Sequence, residues 1–275
     1  MYPTYKFDVL NKNSAIMTMY EAARCPDEWV KKLNALKIPI FAPSKFVEGM
    51  FKDSGVKNRI EVLNLGVDST FYFKKKRVFP EDRAFRFLTI GKLEPRKNVS
   101  VLVKCFQDTF KDTNVELIIK TRERFLPGSI RAAATRDSRI KIIEKTITEE
   151  ELRNIYYYAD AFIYPSRGEG FAFPPRCAVA TGLPTVVTGW SALDEIPGAS
   201  RVPVARFSPM PACGFSYGQE KELLMADIDE EELSKEMLLL ATSKKYFDKQ
   251  ANIVYNTKQD TWEDCARNFI EMVSK

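Results

Sequence analysis

The chain has 275 residues, 45% of them hydrophobic and 29% charged, with a formal net charge of +5. That length holds one large domain or two small ones, the composition argues against disorder, and no apolar run approaches the ~20 residues of a bilayer-spanning helix. Histidine is absent, which excludes Ser-His-Asp and Cys-His catalysis and His-ligated zinc and leaves carboxylates, Lys, Arg, Tyr, backbone dipoles and substrate groups to do any chemistry.

In chain order, "MYPTYKFDVLNKN" (residues 1–13) lacks the apolar core of a secretory leader, so a cytoplasmic location is expected. "DEWVKKLNAL" (27–36) has helical apolar spacing, "IPIFAP" (38–43) reads as a short strand, and "SKFVEGMFKDSG" (44–55) as a helix from an Ser44 N-cap to a Gly55 C-cap. "IEVLNLG" (60–66) is a further strand. Residues 1–80 therefore form a partial N-terminal α/β unit that ends in a linker at about 67–82, whose "KKKR" run (74–77) reads as solvated.

From residue 81 onward short apolar runs alternate with helical patterns. "FRFLTIG" (85–91), "VELIIK" (115–120), "RIKIIE" (139–144), "AFIYPS" (161–166) and "PTVVT" (184–188) read as strands. Between them lie helices at "VSVLVKCFQDTF" (99–110), "TEEELRNIYYYA" (148–159, with a Thr148 N-cap) and "PPRCAVATG" (174–182, closed by Gly182). This alternation predicts a doubly wound parallel sheet with helices on both faces. Two more helices are expected at "DEEELSKEMLLLAT" (229–242) and "TWEDCARNFIEMVS" (261–274). Cys25, Cys105, Cys177, Cys213 and Cys265 are odd in number and contain no CxxC pair, which argues against a disulfide framework.

In such a sheet ligands bind beyond the carboxyl ends of the strands. After the first strand comes "GKLEPRKN" (91–98), where Gly91 permits a tight turn and Lys92, Arg96 and Lys97 place three cations in one loop, a set suited to a diphosphate. The fourth strand ends in "PSRGEGFAFPP" (165–175): Gly168 and Gly170 would free backbone N–H groups to face a cavity, Glu169 could accept from sugar hydroxyls, and the following helix N-terminus favours an anion. Read one at a time, the first is equally an ordinary basic turn and Glu169 equally a helix-capping carboxylate.

Taken together, these stretches resemble the nucleotide-binding half of retaining GT-B glycosyltransferases of family 4 (glycosyl transferases group 1). The resemblance rests on "LTIGKLEPRKN", "TEEELRNIYYYADAFIYPSRGEGFAFPP", "TGLPTVV" and "SALDEI", in the family's order and spacing. Upstream, "RCPDEWVKKLNALKIPIFAPSKFVEGMFKDSGV" and "IEVLNLGVD" resemble the interdomain region. The resemblance implies a GT-B-like fold with a Rossmann-like nucleotide-sugar domain over residues 81–275. It also implies that Lys92 and Lys97 neutralise the donor diphosphate and that Glu169 contacts the transferred sugar. Gly170 and Phe171 would lie beside the phosphate, and the backbone of residues 142–146, which include Glu144 and Lys145, would face the base. Lys120 and Arg96 complete the donor-binding set.

Two features depart from the family pattern. Cys177, eight positions after Glu169, stands where the family has a second glutamate that accepts from the ribose hydroxyls, and a thiol is a poor acceptor. If the donor pocket is retained, Cys177→Glu should tighten nucleotide binding; if the pocket has closed around a small buried filler, it should destabilise the fold. The expectation drawn from Gly168, Glu169 and Gly170 is the first. Only some eighty residues precede the matching stretch, so much of the family's acceptor site is expected to be missing or remade.

The reading that follows is a glycosyltransferase that moves a hexosyl group from a nucleoside diphosphate sugar to an unidentified glycan, lipid or protein acceptor with retention, without a metal. The alternative is a non-catalytic or partner-dependent nucleotide-sugar-binding module, working as a homo-oligomer or with a partner subunit. A DNA-modifying transferase would call for a basic acceptor face, which the mixed charges do not show, so no nucleic-acid partner is expected.

Overall fold

A computed structural model describes residues 14–122, 127–211 and 217–274. The N-terminal part forms a parallel sheet of β1 (Ile16–Met17), β2 (Ile40–Ala42) and β3 (Ile60–Val62), with α1 (Asp27–Leu36) and α2 (Lys45–Asp53) as connections. The Ser44 hydroxyl accepts from the Val47 N–H to open α2, as its sequence predicts. Its C-cap is Ser54 rather than Gly55, which follows one position later.

The larger sheet contains β4 (Phe85–Ile90), β5 (Val115–Lys120), β6 (Ile140–Ile143), β7 (Ala161–Tyr164), β8 (Thr185–Thr188) and β9 (Ser200–Val202). Crossovers run through α3 (Val99–Thr109), α4 (Gly128–Arg136), α5 (Glu149–Tyr158) and α6 (Phe173–Ala180). The strand order is β6-β5-β4-β7-β8-β9, and every pairing is parallel. The direction of winding reverses between β4 and β7, which makes the space beyond their carboxyl ends the topological switch point.

Strand alternation sorts the core into two layers. Phe85 and Phe87 of β4, Leu117 and Ile119 of β5, and Ala161 and Ile163 of β7 pack with Leu102 and Phe106 of α3 and Ile130 of α4. Leu88, Ile118, Phe162 and Tyr164 point the other way, against Tyr156 of α5 and Ala178 and Val179 of α6. Phe87, Phe106 and Phe162 are fully buried, and each contributes about 1.5–3 kcal/mol from burial. α5 begins with a full capping box, in which the Thr148 hydroxyl accepts from the Glu151 N–H and the Glu151 carboxylate accepts from the Thr148 N–H.

After β9 come the antiparallel pair β10 (Val204–Pro209) and β11 (Leu224–Ile228), then α7 (Glu230–Thr242), α8 (Lys244–Asn256) and α9 (Trp262–Val273). Leu233 and Met237 of α7 and Phe247 of α8 extend the first core layer. Met210, Leu223 and Met225 instead pack with Tyr20, Trp29 and Val47, in the core beside the small sheet. α9 also crosses to that sheet, where Phe269 meets the Phe41 ring edge-on at 5.5 Å.

The "KKKR" run differs from its solvated reading. Arg77 donates to the carbonyls of Tyr156, Tyr157 and Ala159 at the end of α5 and of Thr181 after α6, so it closes two helix C-termini where a cation is favoured. Lys75 Nζ lies over the Tyr157 ring at 4.0 Å. Cys25, Cys105, Cys177 and Cys265 are buried free thiols, and Cys213 lies outside the described residues. Among the described residues, no helix is long and apolar enough to cross a membrane.

Candidate functional site

The loops after β4 and β7 meet at Glu169. The Arg167 N–H donates to the Arg96 carbonyl at 2.8 Å, and Arg96 Nη1 donates to the Gly168 carbonyl at 2.7 Å. This pairing sets Lys97 and Arg96 against Glu169, with Lys97 Nζ 2.6 Å and Arg96 Nη1 3.0 Å from Glu169 Oε1. The Ser166 hydroxyl donates to the same oxygen at 2.7 Å and the Tyr164 hydroxyl at 3.2 Å, while Lys97 also donates to the Tyr164 hydroxyl at 2.8 Å. The Glu169 N–H is held in turn by the Ser191 hydroxyl at 3.1 Å.

Glu169 is only 6% exposed. Burial disfavours its charge, yet Arg96 and Lys97 with the hydrogen bonds to Oε1 bring its pKa down to about 2. Arg96 is affected oppositely: burial would lower its pKa, but Glu169 and Glu21 hold it above the usual guanidinium value. All the partners of the Glu169 carboxylate converge on Oε1, so Oε2 has no hydrogen-bond partner among the described residues. A charged carboxylate is thus fixed through one oxygen and keeps the other for a donor group such as a sugar hydroxyl.

Gly168 and Gly170 also meet a steric demand that the loop sequence alone does not show. A Cβ on Gly168 would stand 2.1 Å from the Glu21 carbonyl oxygen and 2.9 Å from the Trp190 ring, and one on Gly170 would stand 2.6 Å from Met19 Cβ. The absent side chains therefore let residues 19–21 close directly over the loop. The Ser44 hydroxyl adds a hydrogen bond to the Gly170 carbonyl at 2.8 Å. The same contact brings Glu21 to 3.6 Å from Arg96 Nη2, and burial raises the Glu21 pKa.

The remaining candidates divide between this cluster and its surroundings. The Gly91 N–H donates to the Lys120 carbonyl at 3.0 Å, which joins the ends of β4 and β5. Lys92 is exposed, with its nearest carboxylate, Glu94, at 3.8 Å, and it does not reach Glu169. Lys120 is 3% exposed and donates to the carbonyls of Thr121 at 2.7 Å and Lys145 at 2.9 Å, fastening the turn after β6. Glu144 faces Arg131 at 3.6 Å, and Lys145 faces Glu151 at 3.9 Å. Phe171 is buried, with the Arg176 guanidinium over its ring at 4.2 Å.

Cys177 is 2% exposed, within the core layer that holds Tyr72, Tyr156 and Phe162. Burial raises its thiol pKa, with the Tyr72 hydroxyl acting in the opposite direction. Tyr72 also donates to Glu149 Oε2 at 3.4 Å. A carboxylate built at position 177 would be enclosed, which favours the alternative that Cys177→Glu destabilises the fold over the expected tightening of nucleotide binding. The sequence reading did not single out Tyr164, Ser166, Ser191 or Glu21. Tyr164 and Ser166 carried a usable signal, two hydroxyls at and just after the end of β7, shortly before Glu169, whereas Glu21 and Ser191 arrive from distant segments.

A family profile described as glycosyl transferases group 1 matches residues 84–242, more than half of the chain. The chain belongs to the glycosyl transferases group 1 family. Among relatives of this family member, O-antigen chain mannosyltransferase B of Escherichia coli is 31% identical over 116 residues, covering 40% of this chain and 30% of that protein. O-antigen chain mannosyltransferase RfbU of Salmonella typhimurium is 24% identical over 139 residues, covering 50% of this chain and 38% of that protein. The matches thus span well under half the length of these relatives.

The architecture is GT-B. The apo structure of OtsA superposes with a TM-score of 0.70 at 11% identity, covering 98% of this chain and 69% of that one. Sucrose-phosphate synthase from Thermosynechococcus elongatus gives a TM-score of 0.67 at 14% identity, covering 90% and 61%.

Proposed function

We propose that this family member transfers a hexosyl group from a nucleoside diphosphate sugar to a glycan acceptor with retention of configuration. The observation that carries the reading is the Glu169 carboxylate, charged and fixed through Oε1 with Oε2 free, beside Lys97 and Arg96 at the β4/β7 switch point. Oε2 accepts from a hydroxyl of the transferred sugar. Lys97 and Arg96, joined by the exposed cation Lys92, neutralise the diphosphate in place of a metal.

The chemistry requires no protein base. As the bond from the anomeric carbon to the phosphate oxygen breaks, the acceptor oxygen bonds that carbon on the same face. The acceptor proton passes to the departing phosphate oxygen, whose negative charge the cations stabilise. A sequence without histidine is compatible with this route.

The names of the relatives favour mannose as the sugar and a polysaccharide chain as the acceptor. The test is proton NMR of a reaction containing GDP-mannose, an α-mannoside acceptor and the protein. An α-linked product with release of GDP supports the reading, and a β-linked product contradicts retention. Nucleotide binding without product would favour the partner-dependent binding module.

A further inference from the structure

Arg176 lies outside the Glu169 cluster and is 6% exposed. Its Nε donates to the Phe171 carbonyl at 2.9 Å and its guanidinium covers the Phe171 ring, but its two terminal amino groups have no hydrogen-bond partner among the described residues. They are also not sealed in, since neither is among the fully enclosed unbonded polar atoms. Glu195 and Asp260 act on this arginine electrostatically without forming an ion pair with it. Glu195 is oriented by the N–H groups of Lys45 and Phe46 at the start of α2, and Asp260 accepts from Asn64 Nδ2 at 3.0 Å.

Aromatic surface lies beside these polar groups. Phe173, one helical turn before Arg176 on α6, is 39% exposed, and Trp262, two residues after Asp260, is 44% exposed. Their ring centroids are 6.4 Å apart with planes inclined at 33°, and Phe173 is itself 6.2 Å from Phe171. The two exposed rings form a tilted platform that continues the loop carrying Glu169.

A guanidinium whose terminal donors have no partner among the described residues, within electrostatic reach of two carboxylates and one helical turn from the exposed Phe173 ring, does not favour an anion, because the acids offset its charge. It matches a neutral polyhydroxylated ring: hydroxyls both donate and accept, and the apolar C–H face covers an aromatic surface. We propose that Phe173, Trp262, Arg176 and Asp260 form a second carbohydrate subsite that holds a neutral pyranose of a glycan chain. Its assignment to the acceptor side rests on the glycosyl-transfer reading above, whereas sugar binding at this place does not.

The test uses the full chain, with α-mannotriose and maltotriose as probes in saturation-transfer NMR and calorimetry and with GDP and UDP titrated separately. Binding of at least one trisaccharide by the wild type is expected. Trp262→Ala and Phe173→Ala, both at exposed positions, should each weaken it by roughly tenfold or more, with nucleotide affinity and Tm unchanged. Arg176→Gln should weaken trisaccharide binding as well, and its Tm is measured alongside to separate a folding effect. Absence of trisaccharide binding at millimolar concentration, or equal binding by wild type and both aromatic variants, would overturn the subsite. Loss of nucleotide binding with trisaccharide binding intact would instead count against the donor site and leave this one standing.

Discussion

Lys97 Nζ stands 2.6 Å from Glu169 Oε1, although the two residues are 72 positions apart in sequence. Their contact joins the loops that leave β4 and β7 on either side of the point where the sheet reverses its winding. A buried carboxylate there keeps its charge because cations and hydroxyls converge on one of its oxygens, and a buried charge left unpaired is strongly unfavourable.

That arrangement gives stability a defined pH dependence. The Glu169 pKa is depressed from 4.5 to about 2, so the carboxylate's contribution is fully present above about pH 4.5 and is lost as pH falls toward 2. The upper bound is about 3 kcal/mol. Glu169→Gln should lower Tm at neutral pH and flatten the acid limb of the stability curve between those values. Parallel acid limbs for the two proteins in thermal melts would show that Glu169 is not held as a charged group.

The strands of the large sheet were legible because β4, β5, β7 and β8 are short apolar runs, enclosed on both faces. α4, "GSIRAAATR", was not, since only Ile130 and Ala133 of it are buried and it shows no apolar stripe. β10 has residues exposed on both faces and no alternation to read. α8 did carry a signal, with Phe247, Ala251 and Val254 buried at helical spacing. At the site, Lys97, Arg96 and Glu169 were found from sequence because they lie in loops that follow strands. The role of Gly168 and Gly170 was not, because it depends on Met19 and Glu21, which no local pattern places nearby.

The close approach of those residues predicts a steric effect. Gly168→Ala would drive its Cβ into the Glu21 carbonyl, a backbone atom that cannot swing aside. The variant should lose about 1–3 kcal/mol or more, the usual range for overpacking, measured by urea denaturation. A wild-type midpoint would mean that residues 19–21 do not close over the loop.

Cys177 supplies a third prediction. Cys177→Glu places a carboxylate in the layer with Tyr72 and Tyr156, and should destabilise the protein by about 1–3 kcal/mol through desolvation without tightening nucleotide binding. Cys177→Ala should be the milder change. A Cys177→Glu protein with unchanged Tm and tighter nucleotide binding would show instead that position 177 opens onto the nucleotide.

The donor assignment is tested most directly by calorimetric titration of UDP-, GDP- and ADP-sugars into wild type and Lys97→Ala at fixed salt. At least one nucleotide sugar should bind the wild type, and Lys97→Ala should weaken it by about 1.5–3 kcal/mol, the range for one charge-assisted contact, with Lys97→Arg retaining most of the affinity. Equal affinity for wild type and Lys97→Ala, or no binding of any of the three, would contradict a diphosphate site built on Lys97 and Glu169.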